Sequence, residues 1–491
     1  MAEKIKLGPR YWRLWSSSVI SNLGDGVGAI AYPWLASAVT RNALLIALVA
    51  VVQRLPWLIF TLPAGVITDR VDRRQLIVSM DVLRAIFTGI LALAILSQQS
   101  SLPAPEDLIG EIDISTNWLV YGILLAAAFL MGFAEVLRDN AAQTILPAIV
   151  ETDHLEKANG NLWGAEMVMN SFVGPPVGSV LLAVAFAFPF FVDAGSFALA
   201  AGLVFLIPGE FKAKRSQGEA PPGKVSWRAE IKEGFMWLWS HPVLRPLAIV
   251  LGLLNGLGMV TFATFVFFVQ ENLDLETGLF TGVIGSVGES LGFESTGAVI
   301  FAILMTAGAV GGVVGSIAAS RIAKALGTGT SLYVTMLAGI VTSAVIGVAT
   351  RWWVVYIVFM FFMVSAILWN VITVSLRQTI IPDDLLGRVN SVYRFFGWGM
   401  MPIGSLIGGL IVTGGEAFMS RSMALRLPYF VVAGAYVLLL AYAAPRLTTE
   451  KIEAARAEGI ASKQGLGDEA MFEAGIPGAP PPYDAEEHPD Q

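Results

Sequence analysis

The sequence predicts an all-α polytopic membrane protein: twelve transmembrane helices in two six-helix pseudo-symmetric halves. Three observations carry this. Hydrophobic residues make up 55% of the 491-residue chain and charged residues 14%, against about 45–50% and about 25% in soluble domains. Twelve stretches each approach the ~20 apolar residues that a helix needs to cross the bilayer core. Short motifs recur in the same order in both halves of the chain.

The stretches are 14–40, 42–68, 75–97, 118–137, 160–184 and 189–208, then 244–269, 297–319, 330–349, 352–376, 391–413 and 427–444. Open strands cannot cross lipid with unpaired backbone groups, and the ten-residue alternation of a barrel is absent, so each reads as helix. The run before Ala36-Ser37-Ala38 exceeds the 7–15 residues of a cleavable signal core, so it reads as the first span. With no cysteine, disulfides and thiolate metal sites are excluded.

The repeats are specific. Gln143-Thr-Ile-Leu-Pro147 at the end of span four recurs as Gln378-Thr-Ile-Ile-Pro382 at the end of span ten. Leu155-Glu-Lys-Ala-Asn159 answers Leu386-Gly-Arg-Val-Asn390, and Pro176-Val-Gly178-Ser179 answers Pro402-Ile-Gly404-Ser405. The chain thus divides into a six-helix half (1–208), a linker loop (209–243), a second half (244–446) and a tail (447–491). Residues 451–491 carry nine acids against three bases, and their Pro, Gly and Glu content predicts disorder.

Lysine and arginine set the orientation. Lys4, Lys6, Arg10 and Arg13 precede span one, and Lys212, Lys214, Arg215, Lys224, Arg228 and Lys232 lie in the linker. The opposite loops, 98–117 and 270–296, hold acids and no base. Both termini and the linker are therefore expected on the cytoplasmic side of a cell membrane.

Between spans two and three, Gly65-Val-Ile-Thr-Asp69-Arg70-Val-Asp72-Arg73-Arg74 packs five charges into a tight turn. A positive-inside anchor explains the arginines. A gate latch explains Gly65 and Asp69 as well, since they share one helix face and the acid can meet a helix N-terminus or an arginine. This GxxxDRxxRR pattern resembles the signature loop of the major facilitator superfamily. Asp72, where that pattern usually has Gly, followed by Asp81 and Arg84, is similar to its drug and siderophore exporter branch, which includes macrolide efflux proteins and the enterobactin exporter. The resemblance covers residues 10–446 and implies a transporter with substrate held near midplane between parallel halves.

Ionisable groups inside spans cost at least about 2.5–3.5 kcal/mol each, so each needs a reason. Asp25 and Arg54 fall at depths about 4–5 Å apart, counted from the turn at Arg41. The two are expected to form a structural ion pair or a protonation-coupled site, or to make no contact at all. Glu135 and Arg138 lie one turn apart on span four and align with Asn370 and Thr373, so the charge exists in one half only. Either gating or a cytoplasmic-end salt bridge accounts for them. Glu166 comes from the same face and could share their site, while Asp193 reads as structural or mouth-lining. The three histidines lie outside the spans, so a proton carrier within the membrane must be a carboxylate.

Span five carries Gly174-Pro175-Pro176-Val-Gly178, a kink that resembles the superfamily's antiporter-associated motif, although Asn170 replaces an upstream glycine. Phe262, Phe265, Phe267, Phe268, Trp369 and Met401 either line an apolar cavity or pack the bundle. The Gly218-to-Lys224 match to a phosphate loop fails, because Val225 replaces Ser or Thr and no strand precedes it.

The sequence therefore predicts export of a small amphipathic organic molecule, drug-like or siderophore, by proton antiport with alternating access. Importer or uniporter on the same scaffold, and membrane-embedded enzyme or scaffold, are the competing classes. The expected partners are a small-molecule substrate, protons and membrane lipids; no nucleic acid, cofactor or metal is expected, and the protein is expected to be monomeric.

Overall fold

The computed structural model describes residues 7–110, 112–151, 155–211, 227–275, 296–382 and 385–464, and the side chains of Gly65, Asp69 and Arg70 lie outside the described residues. The first half is built from Pro9–Val39, Ala43–Arg70, Arg73–Ser97, Trp118–Ile149, a broken fifth span and Ala187–Phe205. The fifth span joins Leu155–Val168 to Gly174–Val184 through a π-helical turn, Met169–Val173. The second half comprises Leu244–Phe262 with its short extension Phe265–Asn272, then Thr296–Leu326, Thr328–Val348, Trp352–Ile380, Leu386–Glu416 and Arg421–Ala443. Among the described residues, eleven helices are long and apolar enough to cross a membrane. The first helix, more polar but 31 residues long, packs between spans five and six and completes a twelve-helix bundle.

Glycines set the tightest helix approaches, and they do so in parallel in the two halves. A Cβ on Gly178 would stand 2.7 Å from the Val27 carbonyl oxygen, joining span five to span one. Its repeat partner Gly404 approaches Gly256, whose carbonyl carbon lies 2.8 Å from the same hypothetical atom, joining span eleven to span seven. Here the sequence repeat is a repeat of packing.

Two helices lie where loop and disorder were expected. Trp227–Ser240, inside the linker, runs along span eleven: Glu233 pairs with Arg388 at 2.6 Å, Gly234 meets the Arg388 backbone, and Phe235 and Trp239 stack on Phe396. Thr449–Gln464, inside the acidic tail, docks under the second half. Its Ile452, Ala455 and Ala461 are buried, Gly459 packs on Ile380, and Glu453 accepts a hydrogen bond from Thr328 at 2.6 Å. The Ala, Glu and Lys content of this segment favours helix, and net composition over the whole tail hides its short apolar stripe. Residues 465–491, also expected to be disordered, lie outside the described residues.

His241 starts the seventh span. Its Nδ1 accepts from the backbone N–H groups of Val243 and Leu244, each at 3.2 Å, and burial lowers its pKa from the ordinary 6.5 to about 4. The folded protein thus binds this proton less readily than the unfolded chain, so stability is fully present above pH 6.5 and falls as pH drops towards 4. We expect wild type to lose up to about 3 kcal/mol more than His241→Asn, which retains a cap acceptor, across that window. Melting temperature in detergent against pH checks this; parallel curves for the two proteins would show that His241 contributes nothing.

Candidate functional site

The packing of the bundle is uneven along its axis. At the end away from the termini, one apolar core runs through both halves, from Ile30, Trp34 and Leu124 to Phe267, Phe301 and Tyr429. At the end bearing the termini the core splits into two, one formed within the first half and one within the second. The halves are closed together at one end and parted at the other.

Charge seals the closed end. Arg41, 7% exposed, reaches from the turn after span one to Glu271 at 2.7 Å and to Gln270 Oε1 at 2.9 Å, both in the second half. Gln270 donates back to Ser37 Oγ at 3.0 Å, and Arg421 holds the other carboxylate oxygen of Glu271 at 2.8 Å. Gly110 adopts φ +88°, which a side chain would strain. It donates its N–H to the Gln270 carbonyl at 2.8 Å while its own carbonyl accepts from Arg41 at 2.8 Å. The guanidinium groups of Arg41 and Arg421 each lie 4.8 Å from the ring centre of Phe267.

Between the closed end and the open one lies a cavity of about 660 Å³. Most of its wall comes from the first half, including Asn22, Asp25, Arg54, Trp57, Arg84, Glu135, Arg138, Asp139, Glu166, Asn170 and Asp193. The second half adds Phe262, Arg394 and Trp398. Trp57 and Trp398 stack across the boundary between the halves, with ring centres 5.1 Å apart and planes at 14°. The Trp57 indole also donates to Glu135 at 3.5 Å. Of the aromatic candidates, Phe262 faces the cavity, whereas Phe267, Phe268 and Trp369 are buried in the packed cores.

The expected Asp25–Arg54 pair is not formed. Asp25 pairs instead with Arg84 of span three, whose guanidinium also contacts Ser21 Oγ at 3.2 Å and Asp81 at 3.8 Å. Asp81 is fully buried and accepts from Arg138 at 2.7 Å, and Arg138 lies 3.8 Å from Asp139. An alternating chain, Asp25–Arg84–Asp81–Arg138–Asp139, thus ties spans one, three and four. Helical rise estimates depth and does not determine direction: Arg54 faces the same cavity as Asp25, with no ion-pair partner among the described residues. Arg138 is therefore part of a buried network near the cavity and not of a salt bridge at the helix end.

Glu135 and Glu166 line the same cavity, as expected from their shared face. Asn370 does not: its side chain is exposed and donates to Ala366 of its own helix at 3.2 Å. Asp193 is not at the mouth. It packs against Gly24 and Gly28 of span one, at the level of Asp25. The Gly24-Asp25-Gly26-Val27-Gly28 run now has a structural reason. Gly24 and Gly28 leave room for Asp193 on one face, and Gly26 on another lets span five approach, with the Met169 carbonyl oxygen 2.7 Å from a Cβ placed there. The kink at Gly174, Pro175, Pro176 and Gly178 takes the form of the π-turn and the helix that follows it. Asn170, in that turn, donates to Asn22 at 2.9 Å.

In the charged turn, Asp72 caps the third span through Gln75 N–H at 3.0 Å and accepts from Phe211 N–H at 2.6 Å. Arg73 donates to the Thr144 carbonyl at 2.9 Å and Arg74 to the Ile207 carbonyl at 2.8 Å, near the C-terminal ends of spans four and six, where a cation is favoured. These bonds hold the first half together and do not cross to the second. The latch assigned to Gly65, Asp69 and Arg70 rests on side chains outside the described residues.

Comparison with known proteins gives this arrangement its setting. Residues 14–405 match the family model described as Major Facilitator Superfamily. The chain is 28% identical over 299 residues to the multidrug efflux pump Tap of Mycolicibacterium fortuitum, covering 59% of this chain and 67% of that protein. With Tap of Mycobacterium tuberculosis strain H37Rv it shares 27% over 246 residues, covering 50% of this chain and 54% of that one, about half the relative's length. Among solved structures, the fold resembles the nucleoside transporter NupG, with TM-score 0.59, 10% identity, and 89% and 98% of the two chains covered. It also resembles a bacterial homologue of the human lysosomal transporter Spinster, with TM-score 0.62, 11% identity, and 90% and 97% covered. Twelve helices in two like halves around a central cavity, read with a family match over most of the chain, lead to one conclusion: the protein is a membrane transporter, not an enzyme, and belongs to the Major Facilitator Superfamily.

Proposed function

We propose that this protein exports small amphipathic organic molecules, drug-like compounds or siderophores, across the cell membrane in exchange for protons. Both termini face the cytoplasm, so the conformation described here opens inward. The carrying observation is the cavity itself: sealed from one side by the Arg41–Glu271–Arg421 cluster, open to the other, and lined by a stacked tryptophan pair beside carboxylates. An apolar aromatic surface takes the body of such a molecule and the carboxylates its polar groups. Two relatives named as multidrug efflux pumps support the direction of transport. Asp25, paired with Arg84, is the coupling carboxylate: a state-dependent pairing links its availability to substrate to the movement of a proton.

Everted membrane vesicles loaded by an acid-inside gradient provide the test, with ethidium as probe. Accumulation that collapses with a protonophore is expected. Equilibration independent of the gradient would make the protein a uniporter, and ethidium loss from the lumen driven by the gradient would make it an importer.

A further inference from the structure

We propose that Asp193 holds the transported proton in this conformation and that Arg84 is the switch between Asp193 and Asp25. The inference rests on the proton-antiport reading and adds to it a carboxyl expected from the sequence to be structural or mouth-lining.

Charge balance carries it. Four carboxyls, Asp25, Asp81, Asp139 and Asp193, gather around two guanidinium groups, Arg84 and Arg138, all within the first half. Asp81 is shared by both arginines and Asp25 is paired with Arg84. Asp193 is 1% exposed, forms no ion pair within 4.0 Å among the described residues, and its Oδ1 meets no donor. The neighbouring Ser196 hydroxyl donates to the Asp193 backbone carbonyl at 2.8 Å and not to the carboxyl. An ionised carboxylate so placed carries the full cost of desolvation with nothing to offset it. The carboxyls outnumber the two cations, and Asp193 is the member without one, so it is the member that holds a proton.

The surroundings of Asp193 offer no other charge to balance it. Span one presents Asp25, Tyr32 and the two glycines that admit the carboxyl, and span three presents Arg84 with Asp81 behind it. Glu135, Asp139 and Glu166 of spans four and five open onto the same cavity, as do Arg54, Arg138 and Arg394, none of which pairs with Asp193 within 4.0 Å among the described residues. The Arg84 guanidinium lies 3.8 Å from the ring centre of Phe197, one turn from Asp193 on span six. It therefore already rests on the helix that carries Asp193. When Arg84 leaves Asp25 for Asp193, the Asp193 O–H bond breaks, the proton passes to cavity water, and the new carboxylate takes the guanidinium. Asp25 is released towards the cavity as a carboxylate, free to meet a substrate cation. One proton is released per switch, and the charge on the protein falls by one.

Infrared spectroscopy of the purified full-length protein in lipid reads this proton without any transport. At neutral pH, wild type should show a C=O stretch of a protonated buried carboxyl that Asp193→Asn lacks and Asp193→Glu restores at a shifted frequency. An unchanged band in Asp193→Asn overturns the proposal; should that variant fail to fold, an unshifted band in Asp193→Glu does so. In everted vesicles Asp193→Asn should accumulate no more ethidium on an imposed pH gradient than empty vesicles, while retaining ethidium exchange without one. A merely structural role would move both together. If wild type itself accumulates nothing on a gradient, antiport fails, and the infrared result still decides where the proton resides.

Discussion

Replacing Arg41 with alanine should open the closed end of the transporter. Arg41 is the group that carries charge from the first half into the second, and its loss leaves Glu271 buried with Arg421 alone. Removing one partner of a buried pair costs about 3–5 kcal/mol. Arg421 remains within 2.8 Å, so the lower end of that range applies, a change of about a hundredfold in the balance between closed and open forms. Because the chain has no cysteine, the change can be read directly. Ala302, 1% exposed in the core shared by the two halves, is replaced by cysteine and challenged with an impermeant thiol reagent from outside the cell. Labelling should be slow in the otherwise wild-type protein and at least about tenfold faster with Arg41→Ala. Equal rates would mean that apolar packing alone keeps this end shut.

The second large effect concerns Arg84. It is 2% exposed and serves Asp25, Asp81 and the Phe197 ring at once. Arg84→Ala strands Asp25 and leaves Asp81 with Arg138 alone, and we expect a loss of about 3 kcal/mol, the lower end for breaking a buried pair, seen as a lowered melting temperature in detergent. Arg84→Lys keeps the charge but loses the planar fork that spans two acids, so it should fall between alanine and wild type. A melting temperature unchanged in Arg84→Ala would show that the network does not contribute to the stability of the first half.

Much of this architecture was legible in the sequence, and particular residues show where legibility ended. Helix length and apolarity placed every span, since a bilayer imposes one length scale on every crossing, with ends within about seven residues except in span four, which continues to Ile149 beyond the expected 137. The repeats located the glycines at which span five meets one and span eleven meets seven. Partners within the bundle were harder, because rise along a helix gives depth and leaves azimuth open. Arg54 and Asp25 line one cavity, yet Asp25 pairs with Arg84 and not with Arg54. Asp81 and Arg84, three residues apart in an apolar span, did carry a signal: two opposite charges on one helix face inside a membrane need partners. The closing role of Arg41 carried none, since a lone arginine in a turn reads as a surface charge until Glu271, some 230 residues away, is brought against it. The tail helix was hidden by the average composition of the segment that contains it.

The most direct measurement concerns the link between proton and substrate. Asp25→Asn removes the carboxylate that holds Arg84 away from Asp193, so that Arg84 is free to pair with Asp193 in its ionised form. In proteoliposomes, ethidium accumulation driven by an imposed pH gradient and ethidium exchange without a gradient are measured side by side. Asp25→Asn should abolish the first and leave the second near wild type. If Asp25→Asn still concentrates ethidium in response to the gradient, the Asp25–Arg84 pair does not couple the two fluxes.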